Sequence, residues 1–319
     1  MKISVAFIVY NGARYMRKQL DSILAQTHGV DEIIVCDDAS SDTTKEILEE
    51  YKNKYLNLFL LHYNNKNLGP TKNIEKAIQA CTGELILLAD QDDYWETNKV
   101  ETIVKWFEAN PTMNGVFTNG SLMNSNEKLD NKYGLWEVMS FPYKAIKNGE
   151  DLKLYINTVE NSVTGATLAI RNDLAFLKQP FPLIKHLVHD RWLAINLAEN
   201  NSLGILNEKL IHYRIHSEQA IGGKTKNIEK YIELNANLLE DKPNLNKSIN
   251  SFKDLRYILN KIEINLEIQN DISKLENKEF DNANYIANLK NKHKIYLEYG
   301  FTKWPILTGL RKFKKLFTA

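Results

Sequence analysis

Three acids, Asp90, Asp92 and Asp93, stand directly after the unbroken apolar run Leu85 to Ala89. Carboxylates this close repel one another and raise each other's pKa. A hard divalent cation removes that conflict, and oxygen ligands suit magnesium or manganese. A solvated turn after a core strand would use the same residues. A second pair, Asp37-Asp38, closes another apolar run, EIIVC. A carboxylate there can accept the N3–H of uracil or thymine. It can equally favour the start of the next helix by ~0.3–1 kcal/mol. A third acid, Asp190, sits in His189-Asp190-Arg191-Trp192 at the opening of an apolar-periodic stretch, where alone it reads as a helix cap. His216, alone, reads as a surface histidine.

The elements that must position these acids follow from periodicity. Leu85 to Ala89 has the pattern of a strand buried on both faces of a parallel sheet, and open α/β sheets place ligands at the carboxyl ends of such strands. Ile3 to Val9 is a β-branched strand ended by Tyr10-Asn11-Gly12. Met16, Leu20, Ile23 and Leu24 then make one helix face. Asp31 to Cys36 is a second strand, and Thr43 with Glu46 fits a capping box for the next helix. Leu58 to Tyr63 is a third strand. The loop Asn67-Leu68-Gly69-Pro70 leads into a helix bearing Ile74, Ala77 and Ile78. Alternation of this kind means a parallel sheet covered by helices. Beyond Asp93, Tyr94-Trp95 is expected to begin a helix with Val100, Ile103, Val104 and Phe107 on its apolar face. Gly115 to Thr118 is a further strand, and Thr164-Gly165-Ala166 a turn before another.

Composition narrows the function classes. The 319 residues carry 41 Lys+Arg against 40 Asp+Glu, a net charge of +1, which argues against a nucleic-acid binder relying on a broad basic surface. A hydrophobic fraction of 43% supports a real core. The two cysteines, Cys36 and Cys81, lie in apolar runs without CxxC spacing and read as buried reduced thiols of a cytosolic protein. No GxGxxG or GxxxxGK[ST] is present, so the Rossmann dinucleotide and P-loop readings lose their usual support.

Taken in order, the segments ending in Tyr10-Asn11-Gly12, VCDDASSDTT, NKNLGPTKN and TGELILLADQDD resemble the family 2 glycosyltransferases with the GT-A fold. The resemblance spans about the first two-thirds of the chain and implies an α/β fold with a Rossmann-like, mostly parallel central sheet. It implies that Asp38 holds the base of a UDP- or dTDP-sugar, with Tyr10 and Asn11 beside the donor and Asn67, Gly69 and Asn73 flanking it. Asp90-Gln91-Asp92 matches the DxD motif, which would hold Mn2+ or Mg2+ against the donor diphosphate. Asp92 would be the direct ligand and Asp90 nearer the ribose or a metal-bound water. Gly165 would lie beside the transferred sugar. Asp190 matches the carboxylate that acts as base in inverting members, and Arg191 would pair with phosphate or orient Asp190. Tyr213-Arg214-Ile215-His216 resembles the closing segment of the same domain, with His216 reaching the metal or diphosphate.

Residues 1–222 are therefore expected to form the catalytic domain and 223–319 a helical C-terminal region, with Gly222-Gly223 as the hinge. Ile249, Phe252, Leu255, Leu259, Ile262 and Leu266 recur at helical spacing, a face that can dimerise or pack on the domain. The stretch 303–319 has an apolar stripe and five basic residues without an acid, which suits an anionic membrane interface or docking on the protein itself. No stretch is long enough to span a membrane. The expected activity is sugar transfer, of hexose or rhamnose, to a glycan or lipid-linked hydroxyl in cell-surface polysaccharide synthesis. The expected site of action is cytoplasmic, at or near the inner face of the membrane. A non-catalytic scaffold of the same fold and a nucleotidyltransferase are the rivals. The second would need a Gly-rich triphosphate loop, where Tyr10-Asn11-Gly12-Ala13 has one glycine.

Overall fold

The computed structural model describes residues 1–216 and Gln219, apart from 140, 142, 145, 159, 160 and 184–186. The expected C-terminal helices, the expected hinge at Gly222-Gly223, the face proposed to dimerise and the basic stretch 303–319 lie outside the described residues.

The first half alternates as the apolar periodicity requires: β1 (Ile3–Val9), α1 (Met16–Leu24), β2 (Glu32–Asp37), α2 (Thr44–Lys54), β3 (Phe59–Tyr63), α3 (Pro70–Ala80) and β4 (Leu85–Ala89). These four strands pair in parallel in the order β3-β2-β1-β4. Every residue of β4 is buried, as expected of an unbroken apolar strand. Alternate side chains feed two cores. Val5, Phe7, Ile33, Val35, Leu85 and Leu87 pack under α1 and α2. Ala6, Ile34, Ile86 and Leu88 pack against Ile74, Ala77 and Ile78 of α3. Each fully buried Leu, Ile, Val or Phe contributes roughly 1.5–3 kcal/mol, so this two-faced burial fixes the register of the strands.

The second half is mixed. It runs β5 (Tyr94–Trp95), α4 (Lys99–Ala109), β6 (Gly115–Asn124), β7 (Leu129–Gly134), α5 (Leu135–Val138) and α6 (Gly149–Thr158). A 3-10 turn (Gly165–Thr167), β8 (Leu168–Arg171), α7 (His189–Glu199) and β9 (Leu203–Ile215) complete it. β8 inserts antiparallel between β4 and β6, and β6 pairs in parallel with β9.

Three local expectations change. Tyr94-Trp95 is a short strand antiparallel to Ile211 and His212 of β9, and the helix begins later, at Lys99. The strand expected at Gly115 to Thr118 continues to Asn124 because β9 and β7 pair with its second half. The Thr43–Glu46 capping box does not form, since Asp42 Oδ1 instead accepts the Thr44 N–H at 3.0 Å. Among the described residues, no helix is long and apolar enough to cross a membrane.

Candidate functional site

The carboxyl ends of β1, β2 and β4 open on one side of the sheet, and main-chain bonds lock their loops together. Gln91 brackets Tyr10, accepting its N–H at 2.8 Å and donating to its carbonyl at 3.1 Å. That approach needs Gly12, because a Cβ there would lie 2.6 Å from Gln91 Oε1. Asn11 accepts the Ser41 N–H at 2.8 Å and donates its own N–H to Ser40 Oγ at 2.8 Å. Asp37 accepts from the Ser40 hydroxyl.

Asp38 is buried and is committed to the loop before α3. Its carboxylate accepts from Asn64 Nδ2 at 2.8 Å, from the Leu68 N–H at 2.8 Å and from the Gly69 N–H at 2.9 Å. Asn67 Oδ1 accepts the Gly69 N–H at 3.1 Å. Asn73 donates to the Cys36 carbonyl at 2.8 Å and accepts from Asn64 at 2.9 Å. These residues therefore build one rim of the opening through bonds among themselves, with Tyr10 exposed beside them.

The acids after β4 are crowded. Asp90 is half-buried, and its carboxyl is pushed up to about 7 by burial first and then by Asp92 and Asp190, against the pull of Lys99. Burial, then Asp92 and Asp90, raise Asp93 well above the usual carboxylate range. One Asp93 oxygen accepts the Arg214 N–H at 3.0 Å, and the other has no hydrogen-bond partner among the described residues. Lys99 is the cation set among these acids. It is buried, its ammonium donates to the Ala166 carbonyl at 2.8 Å, and it lies 4.1 Å from the Trp95 ring centroid. Burial lowers its pKa to about 7 although Asp93 and Asp90 oppose the shift. Asp92 Oδ2 lies 2.8 Å from His216 Nε2.

Asp190 enters from the opposite half, on the first turn of α7. Burial pushes its carboxyl up to about 7, opposed by the main-chain N–H of Arg191, the Arg191 charge and the N–H of Gly165. Asn161 Nδ2 donates to Asp190 at 3.3 Å, and the Arg191 N–H at 2.5 Å. Gly165 is needed here because a Cβ would lie 2.9 Å from His189 Nε2. His189 is itself buried, and burial holds its imidazole down at about 4, so it is neutral.

The charges of both halves bear on one phenol. Tyr213 is raised well above its usual pKa by burial first, then by Asp93, Asp90, Asp92 and Asp190 in that order. The acid loop and α7 thus meet at one place, with Gly165 and His216 beside them. Asp38, Asn67, Gly69 and Asn73 stand on the neighbouring rim. Sequence reasoning assigns no role to Lys99, Arg214, Tyr15 or Asn161. Lys99 had a signal, since it lies four residues before Ile103 on the buried face of α4.

The donor set suits a hard cation in part. Crowded carboxylates and an orphaned buried oxygen on Asp93 are what a divalent ion relieves. Yet among the described residues no three His, Cys, Asp or Glu side chains form a ready cage. Asp90 and Asp92 could hold an ion only if further oxygens came from another molecule, as a diphosphate supplies. His216 would first have to release Asp92.

Comparison with known proteins bears on what that molecule is. Residues 4–172 match the family model described as Glycosyl transferase family 2. An uncharacterised glycosyltransferase of Nostoc sp. (strain PCC 7120) is 29% identical over 226 residues, covering 68% of this chain and 65% of that protein. The poly(ribitol-phosphate) beta-glucosyltransferase of Bacillus spizizenii is 34% identical over 128 residues, 40% of this chain and 20% of that one. The chain thus spans less than two thirds of the length of these relatives. Among solved structures, S. aureus TarS 1-349 in complex with UDP-GlcNAc aligns with a TM-score of 0.53 at 20% identity, covering 75% of this chain and 67% of that one. The mannosyltransferase PcManGT from Pyrobaculum calidifontis, in complex with GDP-Man and Mn2+, aligns with a TM-score of 0.51 at 17% identity, covering 97% of this chain and 84% of that one. At such identities the likeness is one of fold.

Proposed function

The chain belongs to glycosyl transferase family 2, and we propose that its acid cleft moves a sugar from a nucleoside diphosphate donor to an acceptor hydroxyl with inversion at C1. The observation that carries this reading is the link from the acid loop to Asp190: Lys99, set beside Asp90 and Asp93, donates to the Ala166 carbonyl at 2.8 Å, and Gly165 next to it lies against the Asp190 side chain. The acid loop lies on the diphosphate side and Asp190 on the acceptor side. As the acceptor oxygen forms its bond to C1, Asp190 takes the hydroxyl proton and the C1–O bond to the diphosphate breaks. The nucleoside diphosphate leaves with the bonding electrons. Bound Mn2+ or Mg2+, held by Asp92 and Asp90, would stabilise that leaving charge. Asn161 and the Gly165 N–H aim the Asp190 carboxylate.

The donor is a UDP- or dTDP-sugar, the base lying by the Asp38 rim. Because Asp38 is committed to Leu68 and Gly69, it acts by shaping that rim as much as by touching the base. The transferred sugar is a hexose or rhamnose, and the acceptor a glycan or lipid-linked hydroxyl of the cell envelope. The name of the Bacillus spizizenii relative is in keeping with this acceptor class. Stretch 303–319 would bring the enzyme to an anionic membrane face.

A thermal-shift screen of UDP-, dTDP- and GDP-sugars tests the reading. A donor that binds the native state should raise the melting temperature with Mn2+ present and lose the effect with chelator. Turnover should release a free nucleoside diphosphate. Pyrophosphate as the product would mean nucleotidyl transfer and would refute the proposal.

A further inference from the structure

Arg214 is 1% exposed and lies close to carboxylates, yet among the described residues its guanidinium reaches none of them at hydrogen-bond distance. A buried arginine ordinarily takes a neighbouring carboxylate with its planar fork. Here Nε donates instead to the main-chain carbonyl of Asp92 at 2.6 Å, and the main-chain N–H of Arg214 donates to Asp93 at 3.0 Å. Its Nη2 stays 3.8 Å from Glu127, and Nη1 has no hydrogen-bond partner among the described residues. The guanidinium carbon lies 4.5 Å from the ring centroid of Tyr15, in the turn after β1. The same ring meets His216 at 4.9 Å between centroids.

We infer that Arg214, seated on Tyr15, is a positioning residue that fixes the backbone of the acid loop while leaving the Asp92 carboxylate for a cation and a nucleoside diphosphate. The inference rests on the donor-binding reading above. A fork placed on the Asp92 carboxylate would neutralise the charge that the cation needs. A single bond to its carbonyl sets the direction of the side chain and leaves the carboxylate oxygens to His216 and to a ligand. Tyr15 makes the arrangement a three-way lock. The end of β9 meets the turn after β1 on that ring, whose face favours a cation, and holds the loop after β4 through the Asp92 carbonyl. Lys99 does not duplicate the role, since its bond goes to Ala166 on the sugar side.

The test uses the full chain and, as probe, whichever of UDP, dTDP and GDP binds the unaltered protein most tightly. Mn2+ is titrated into protein and nucleotide, with binding followed by calorimetry and folding by circular dichroism. Arg214→Lys should fold and should need at least about tenfold more Mn2+ for half-maximal nucleotide binding, the scale on which partners of metal ligands act. Binding measured in chelator should not change. Tyr15→Leu keeps the guanidinium and removes its seat, so it should shift the Mn2+ requirement the same way by a smaller factor. It also keeps the inference testable if the Arg214 variant does not fold. Tyr15→Phe, which retains the ring, should stay within about twofold of the unaltered protein, on the same scale. An unchanged Mn2+ requirement in both Arg214→Lys and Tyr15→Leu would overturn the inference. So would a loss explained entirely by the unfolded fraction. Unaltered protein that binds no nucleotide in a Mn2+-dependent way would refute the functional reading instead, before any variant is compared, and the inference with it.

Discussion

Glu32 at the amino end of the sheet and the acids Asp90, Asp93 and Asp190 near its carboxyl end are held in opposite ways. At the amino end, Glu32 accepts from Ser4 Oγ at 2.5 Å, the Thr82 N–H at 2.6 Å and Thr82 Oγ1 at 2.7 Å, with Lys2 Nζ at 3.4 Å. Burial alone would raise its carboxyl, but those bonds and the Lys2 charge outweigh burial and bring it down to about 2. At the carboxyl end, Asp90 and Asp190 are pushed up to about 7, and one oxygen of Asp93 has no hydrogen-bond partner among the described residues. A carboxylate supplied with enough donors stabilises the fold. Carboxylates whose burial is not offset by their donors and neighbouring charges cost stability, and proteins keep such groups where a ligand will complete them. The contrast separates a structural acid from functional ones without reference to sequence motifs.

Glu32→Gln should bring the largest change in stability, a loss of about 2 kcal/mol at neutral pH, read by urea denaturation. The sign follows from the lowered pKa. The stabilisation is complete above the ordinary value of 4.5 and is lost as pH falls toward about 2. The variant should therefore lose the acid slope of stability while keeping its specific activity. A concurrent loss of activity in the folded fraction would break the comparison. Asp190 should behave in the opposite sense. A base held at about 7 is protonated below that pH, so kcat/KM should fall about tenfold per pH unit under 7 and level off above it. A profile flat from pH 5 to 8 would contradict this. Gly165→Ala should have the smallest effect, about fivefold in kcat/KM, because the new methyl displaces the His189 ring and the turn that carries Asp190. A larger loss accompanied by unfolding would mean that Gly165 serves packing more than aim.

Much of this was legible in the residue order. The apolar runs fixed β1 to β4 because a strand buried on both faces leaves little choice of residue. The acids at their ends were legible for the same reason, since charge is out of place directly after such a run. The second half was harder. β6 and β9 pair across about ninety residues of sequence, and neither segment shows that partnership locally. Tyr94-Trp95 reads as a helix start until β9 supplies its partner. Arg214 and Lys99 carry ordinary surface residue types, and only the fold makes them buried cations among acids. The residue order offers Asp38 as an acceptor for a base or as a helix-start acid, not as the anchor of a loop. Its three bonds depend on a loop whose path sequence does not give.

The central claim is that one cleft holds donor-binding acids and a separate proton acceptor. Asp190→Asn tests it most directly, with nucleotide binding and turnover measured on the same preparation. The amide cannot take the acceptor proton, so turnover should fall about a thousandfold or more while Mn2+-dependent nucleotide affinity stays within about twofold. Near-normal turnover, or a loss of nucleotide binding as large as the loss of turnover, would contradict it.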